Sequence, residues 1–337
     1  MIAVRWKRAA RAMLVLSALT ALPSAGLTSS GRVALTFDDL PVFGKFESAA
    51  DGAEVTDRLL AGMTRHRWKV TGFVNEVQLE AADRPQRIAL LQQWLDAGMD
   101  LGNHTFSHLS LNTTPVDAYI ADVARGELVT SPLLAAEGRR ERWFRYPYLE
   151  TGTTVAERAT FEHWLRSRRY RVAPVTMENS DWQFSAPYDD AVERGDARGA
   201  AAIKRSYLAF TRRIVGWYRL AGRALFGRQP AFVFLLHASR LNAASLEGLA
   251  GILRAEGLRV VSLDAGMRDP AYRTPDRYVG RDGNEWLERW SSTLHRDLPF
   301  ESIPEVPSAI AASDMRLEFK EDPRAVSPLG GDIPLTP

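Results

Sequence analysis

VALTFDDLP, residues 33–41, is an apolar and β-branched run that ends in two adjacent acids, Asp38 and Asp39, followed by leucine and proline. Its first five residues have the composition of a strand buried on both faces. Strands often end in Asp because the carboxylate accepts hydrogen bonds from the turn that follows. The chemical alternative is that one carboxylate binds a metal ion and the other moves protons. Which applies depends on what the other strands bring to the same end of the sheet.

From residue 32 onwards short β-rich runs alternate with amphipathic stretches. VALTF, KVTGFVN, MDLGN, RWFRYPY, RVAPVTM, AFVFLLH and LRVVSL are the seven strand candidates. Between them lie helical patterns such as EVTDRLLAGMTRHRW, RPQRIALLQQWLDAG, PVDAYIADVARGELVTSPLLAAEG and TVAERATFEHWLRSRRY, and a long one precedes AFVFLLH. Strictly alternating strands and helices make parallel sheets with the helices outside. The expected fold is α/β: a distorted, partly closed (β/α) barrel of about seven parallel strands with outer helices, or else a doubly wound sheet.

The chain has 337 residues, 45% hydrophobic and 25% charged, enough for one large domain and an extension. A formal net charge of +2 gives no argument for nucleic acid as a partner. There is no cysteine, so neither a disulfide framework nor a thioether lipid anchor exists. Arg5, Lys7, Arg8 and Arg11 precede the apolar run AMLVLSALTAL and the small residues PSAG, the order of a secretory signal. Residues 1–26 are therefore read as a signal peptide directing export to the periplasm or outside the cell, with an uncleaved anchor as the alternative.

No acid occurs between Asp196 and Glu247, while Lys204, Arg205, Arg212, Arg213, Arg219, Arg223 and Arg228 recur along 196–228 at helical spacing. This reads as an outer helix with one core face and one solvated basic face; peripheral contact with an anionic envelope surface is the alternative. The domain is expected to span 31–267. Residues 268–337 read as a C-terminal extension, partly disordered, in which Trp286 and Trp290 either pack on the barrel or offer a sugar-stacking face.

The third strand runs into GNHTFSH, where His104 and His108 are four apart, a spacing that turns both imidazoles to one side. With Thr105 between them this is not the metalloprotease HExxH pattern, so a base must come from elsewhere. In a parallel sheet these histidines and the two aspartates open on one face, and a carboxylate with two imidazoles leaves a coordination position free for water. RYPY at 145–148 adds a guanidinium, which either pairs with a surface acid or holds a carboxylate ionised. Asp181 in NSDWQF and His237 at the end of FVFLLH could pair as a carboxylate and a general acid.

Five short motifs, TFDD at 36–39, HTFSH at 104–108, RYPY at 145–148, DW at 181–182 and LLH at 235–237, stand in the order seen in NodB-type polysaccharide deacetylases, also called carbohydrate esterase family four. The chain resembles that family over roughly residues 31–265. The resemblance implies that Asp38 is the catalytic base and Asp39 a metal ligand, with His104 and His108 completing the protein ligands. It further implies that Arg145 orients the base, that the Tyr148 backbone N–H is an oxyanion donor, and that Asp181 tunes His237 as general acid. One departure is visible: Glu178 stands where the fourth family motif often has an aspartate.

The activity implied is hydrolysis of N-acetyl groups on a chitin-like or peptidoglycan-like glycan, using one divalent metal ion with zinc foremost. Two alternatives remain. The same metal site could act on O-acetyl esters or a small amide or ureide, or the chain could be a glycan-binding protein without catalysis. The intact set of acids and histidines counts against the last.

Overall fold

The computed structural model describes residues 31–321, without side-chain detail beyond residue 317. The signal-peptide reading of residues 1–26 and the end of the extension lie outside the described residues. Seven strands, β1 (Gly31–Leu40), β2 (Thr71–Val74), β3 (Asp100–Asn103), β4 (Trp143–Phe144), β5 (Arg171–Val172), β6 (Phe232–His237) and β7 (Leu258–Val261), form one sheet. Around it run α1 (Ala49–Arg65), α2 (Arg84–Asp96), α3 (Val116–Arg125), α4 (Thr130–Ala136), α5 (Val155–Ser167), α6 (Asp181–Glu193), α7 (Ala197–Phe226), α8 (Arg240–Ala255), α9 (Leu263–Gly266), α10 (Trp286–Leu294) and α11 (Ser308–Glu321).

The sheet order is β5-β4-β3-β2-β1-β6, and every pairing is parallel. β1 is the organiser: Val33 and Ala34 pair with both β6 and β7, while Thr36 and Phe37 pair with both β6 and β2. β7 and β2 therefore share one edge of β1, one after the other. The far side closes through a single parallel bridge, Met177 to Phe234, reinforced by Leu235 N–H donating to the Met177 carbonyl at 3.0 Å. The result is a distorted (β/α) barrel, the first of the two architectures that the alternation of sequence patterns allows.

The apolar strand composition is explained by burial: every residue from Val33 to Leu40 is buried. An aromatic cluster of Tyr119, Phe144, Tyr146 and Phe161, with centroids 4.9–6.5 Å apart, packs α3 and α5 against β4. The helical stretch at 115–138 differs from the sequence reading in breaking into α3 and α4. The break is stabilised by buried Glu76, whose carboxylate accepts the backbone N–H groups of Val129 and Thr130 at 2.7–3.0 Å.

α7 buries Tyr207, Phe210, Ile214, Trp217 and Tyr218 and leaves Arg198, Arg205, Arg212, Arg213 and Arg223 exposed. Arg219 instead pairs with Glu256 at 2.6 Å, and Arg228 pairs with Asp269. Among the described residues no helix is long and apolar enough to cross a membrane. Trp286 and Trp290 are buried in the core, which removes them as a sugar-stacking face.

Candidate metal centre and its acid–base groups

The two aspartates illustrate how local backbone produces a site. Successive residues of a strand point to opposite faces, so Asp38 and Asp39 should not both face the barrel mouth. A register shift between Phe37 and Leu40 and a left-handed Asp39 (φ 61°) break the alternation. Both carboxylates then turn to the same cluster: His104 Nε2 lies 3.8 Å from Asp38 Oδ2 and 3.5 Å from Asp39 Oδ1. His108 Nε2 is likewise 3.5 Å from Asp39 Oδ1.

Left-handed residues recur here. Of nine non-glycine residues with positive φ among the described residues, Asp39, Thr105, His108, Tyr148, Leu149 and Ser180 lie in the segments that carry the motifs. Each such residue costs about 1–3 kcal/mol and persists only where its surroundings fix it. Thr105 is fixed by the Asn103 side chain, which accepts its N–H at 2.8 Å.

Asp39, His104 and His108 offer ligand atoms that all lie within 4.8 Å of one another. His104 Nδ1 is 2.9 Å from the Arg145 carbonyl, an acceptor, which makes Nδ1 the protonated nitrogen and leaves the Nε2 lone pair toward the aspartates. Burial, followed by the neighbouring His108, lowers the His104 pKa to about 3, so the ring is neutral. Burial alone would raise the Asp39 carboxyl, but the histidines, His108 first, hold it below its ordinary value. Asp39 Oδ1 is buried and has no hydrogen-bond partner. Two imidazoles and an orphaned carboxylate oxygen are a donor set that fits a divalent metal cation.

Beside this set, Arg145 Nη1 donates to Asp38 Oδ2 at 3.1 Å. The guanidinium is fully buried, spending its other donors on Thr36 Oγ1 at 3.0 Å and the Ala173 carbonyl at 2.9 Å. Burial pushes the Asp38 carboxyl up to about 6 against the opposing pull of Arg145. Asp38 Oδ1 is left without a partner.

On the other side, His237 Nδ1 and Asp181 Oδ1 are 2.7 Å apart, and Asp181 Oδ2 accepts the His237 backbone N–H, also at 2.7 Å. Burial would lower the His237 pKa, but the Asp181 charge and hydrogen bond carry it up to about 9. His237 Nε2 is 3.9 Å from Asp39 Oδ2, so this pair faces the same centre. Tyr148 is 57% exposed, and its ring packs edge-on to His108 with centroids 4.5 Å apart. All eight residues singled out in the sequence thus belong to one cluster of neighbouring groups at the strand ends. Glu178 turns back on its own turn, accepting the Ser180 N–H at 2.6 Å.

Sequence reasoning missed the layer behind Asp181. Asn242, in the first turn of α8, donates to Asp181 and to the His237 carbonyl, while its oxygen accepts from Tyr207 OH at 2.6 Å. Tyr207 in turn accepts from Asn179, and Phe43 packs 4.4 Å from the His237 ring. Only Thr36 could have been found, because it lies two residues from Asp38 on the same face of a buried strand.

Residues 25–162 match the family model of polysaccharide deacetylases, a span that includes the first three motifs and ends before Asp181 and His237. Comparison with curated proteins returns no match. Among solved structures, a family 4 carbohydrate esterase from Streptomyces lividans in complex with acetate is 20% identical, with a TM-score of 0.45 over 70% of this chain and 95% of that one. The chitin deacetylase of the fungal pathogen Colletotrichum lindemuthianum is 19% identical, with a TM-score of 0.49 over 75% and 93%. A family 4 pseudoenzyme from Bacillus anthracis is 16% identical, with a TM-score of 0.47 over 71% and 66%. Over residues 25–162, which carry the first three motifs, the chain is therefore similar to the polysaccharide deacetylases.

Proposed function

We propose that this chain is a metal-dependent hydrolase that removes N-acetyl groups from an amino-sugar glycan of the chitin or peptidoglycan kind. The observation that carries this reading is the meeting of three groups at one barrel mouth: the Asp39, His104 and His108 donor set, the Asp38–Arg145 pair and the Asp181–His237 pair. Asp39, His104 and His108 would hold one divalent ion, zinc foremost. Bound there, such an ion supplies Lewis acidity to a carbonyl and lowers the pKa of a water.

The remaining steps belong to the chain's own side chains. Asp38, ionised at neutral pH yet more basic than an ordinary carboxylate, takes the proton of the attacking water. Arg145 fixes the direction of that carboxylate and keeps it charged. The Tyr148 backbone N–H donates to the oxygen that gains charge as the carbonyl becomes tetrahedral. His237, protonated because Asp181 holds it so, delivers its proton to the departing amine. Water and acetamide thus become acetate and a free amine, and each proton-transfer group should contribute about 10²- to 10⁴-fold.

The charged, apolar and small-residue order at the N-terminus supports an exported enzyme that meets such glycans outside the cytoplasm. Matched assays on N-acetylglucosamine oligomers, an O-acetylated sugar and a small amide test the substrate class. Preferential acetate release from the oligomers is the expected result. Preference for the ester or the small amide would move the assignment to that bond.

A further inference from the structure

We propose that residues 276–290, on the C-terminal extension, brace the loop that carries Tyr148, so that the working site needs a segment far outside the motifs. The inference rests on the reading of Tyr148 given above. Tyr148 and Leu149 are consecutive left-handed residues, with φ of 56° and 57°. Two such residues in a row are not held by the chain's own preference, so neighbours must fix them.

Three contacts do so, at successive points of the loop. A Cβ at Gly283 would lie 1.7 Å from the Tyr148 carbonyl oxygen, so the extension passes directly against the Tyr148 backbone and only glycine fits. Arg289 donates to Thr151 Oγ1 and to Asp276 Oδ2, both at 2.6 Å. Asn112 joins all three segments: its Oδ1 accepts the Gly152 N–H at 3.0 Å and its Nδ2 donates to the Arg281 carbonyl at 2.8 Å.

The brace is itself stiff. Arg289 is fully buried between the Tyr278 and Trp286 rings, 4.9 and 4.7 Å from their centroids. Arg158, on α5, reaches the same Asp276 at 3.2 Å and the Tyr278 carbonyl at 2.6 Å. Two arginines thus lock the extension through one carboxylate, and its backbone then abuts the loop beside His108. An extension that merely covered the core would have no need to engage Tyr148 and Thr151 directly and Gly152 through Asn112.

Asn112→Ala tests this without removing a charge, since the asparagine amide is neutral, and Asn112 is only half-buried. Gly283→Ala is the companion variant. The brace predicts that hydrogen exchange at Gly152 in Asn112→Ala accelerates ~10-fold or more, as expected when a protecting bond is lost. It also predicts that kcat for acetate release falls ~10-fold or more, while KM and zinc affinity stay within about twofold, because misplacing a donor by a fraction of an ångström acts on the transition state. Gly283→Ala should show the same split. Unchanged exchange, or faster exchange with unchanged kcat, would overturn the proposal. If the unaltered protein releases no acetate, the substrate reading fails, yet Gly152 exchange in Gly283→Ala, which leaves the Asn112 bond to Gly152 in place, still decides whether the extension holds the loop.

Discussion

Replacing Glu141 by Gln should flatten the dependence of stability on pH. Glu141 is 4% exposed, two residues before β4, and ties that strand to its neighbours. Its Oε2 accepts from Ser131 Oγ at 2.6 Å and from Tyr170 OH at 2.9 Å, while Oε1 is buried without a partner. Burial, with lesser contributions from the charges of Glu76 and Glu127, pushes its pKa up from 4.5 to about 8. The folded protein therefore keeps this proton up to about pH 8, whereas the unfolded chain releases it near 4.5. Between those values the folded state binds more protons, so stability falls as pH rises across that window and levels off above it. At about 1.4 kcal/mol per unit, the loss is on the order of 4 kcal/mol. Glutamine keeps an oxygen for Ser131 and Tyr170 and carries no charge at any pH. Urea unfolding at pH 5 and pH 8.5 should give similar stabilities for the two proteins at the lower pH and a gain of a few kcal/mol for Glu141→Gln at the higher. Parallel pH dependences for the two proteins would refute the buried-proton reasoning.

Other substitutions separate the roles within the site. Asp38→Asn should lose at least 10²-fold in kcat while zinc titration stays unchanged, whereas His108→Ala should lose zinc affinity itself, read by calorimetry. Arg145→Lys keeps a charge but cannot serve Asp38, Thr36 and the Ala173 carbonyl together, so kcat should drop ~10-fold or more with zinc affinity kept. Tyr207→Phe leaves the Asn242 oxygen without its donor and should cost about 1–3 kcal/mol in urea unfolding; a neutral outcome would mean the buried chain behind Asp181 is not held by that hydroxyl.

The barrel was legible because its central strands β1 and β6 are buried on both faces and must be apolar, which makes VALTF and FVFLL stand out against amphipathic helices. The metal-ligand candidates were legible only together: an acid after a strand commonly serves its own turn, whereas acids and histidines at several strand ends of one parallel sheet share a face. What separates Asp38 from Asp39 was not legible from composition, since it depends on one left-handed residue and a register shift that reverses the strand's alternation. The break between α3 and α4 was hidden because the residue that caps it, Glu76, lies more than fifty positions upstream. Asn112, Arg289 and Gly283 were equally silent. A half-buried asparagine, one arginine among many and a loop glycine acquire meaning only when folding sets the extension against the Tyr148 loop.

The central claim is that the paired aspartates are base and ligand of a metal-dependent deacetylase. Its most direct test is acetate release by the purified chain from N-acetylglucosamine oligomers and envelope glycans, measured as prepared, after chelation and after zinc is restored. The account predicts release that disappears with chelator and returns with zinc. Release that persists in thoroughly chelated protein, or none from folded and zinc-loaded protein on any of these glycans, would contradict it.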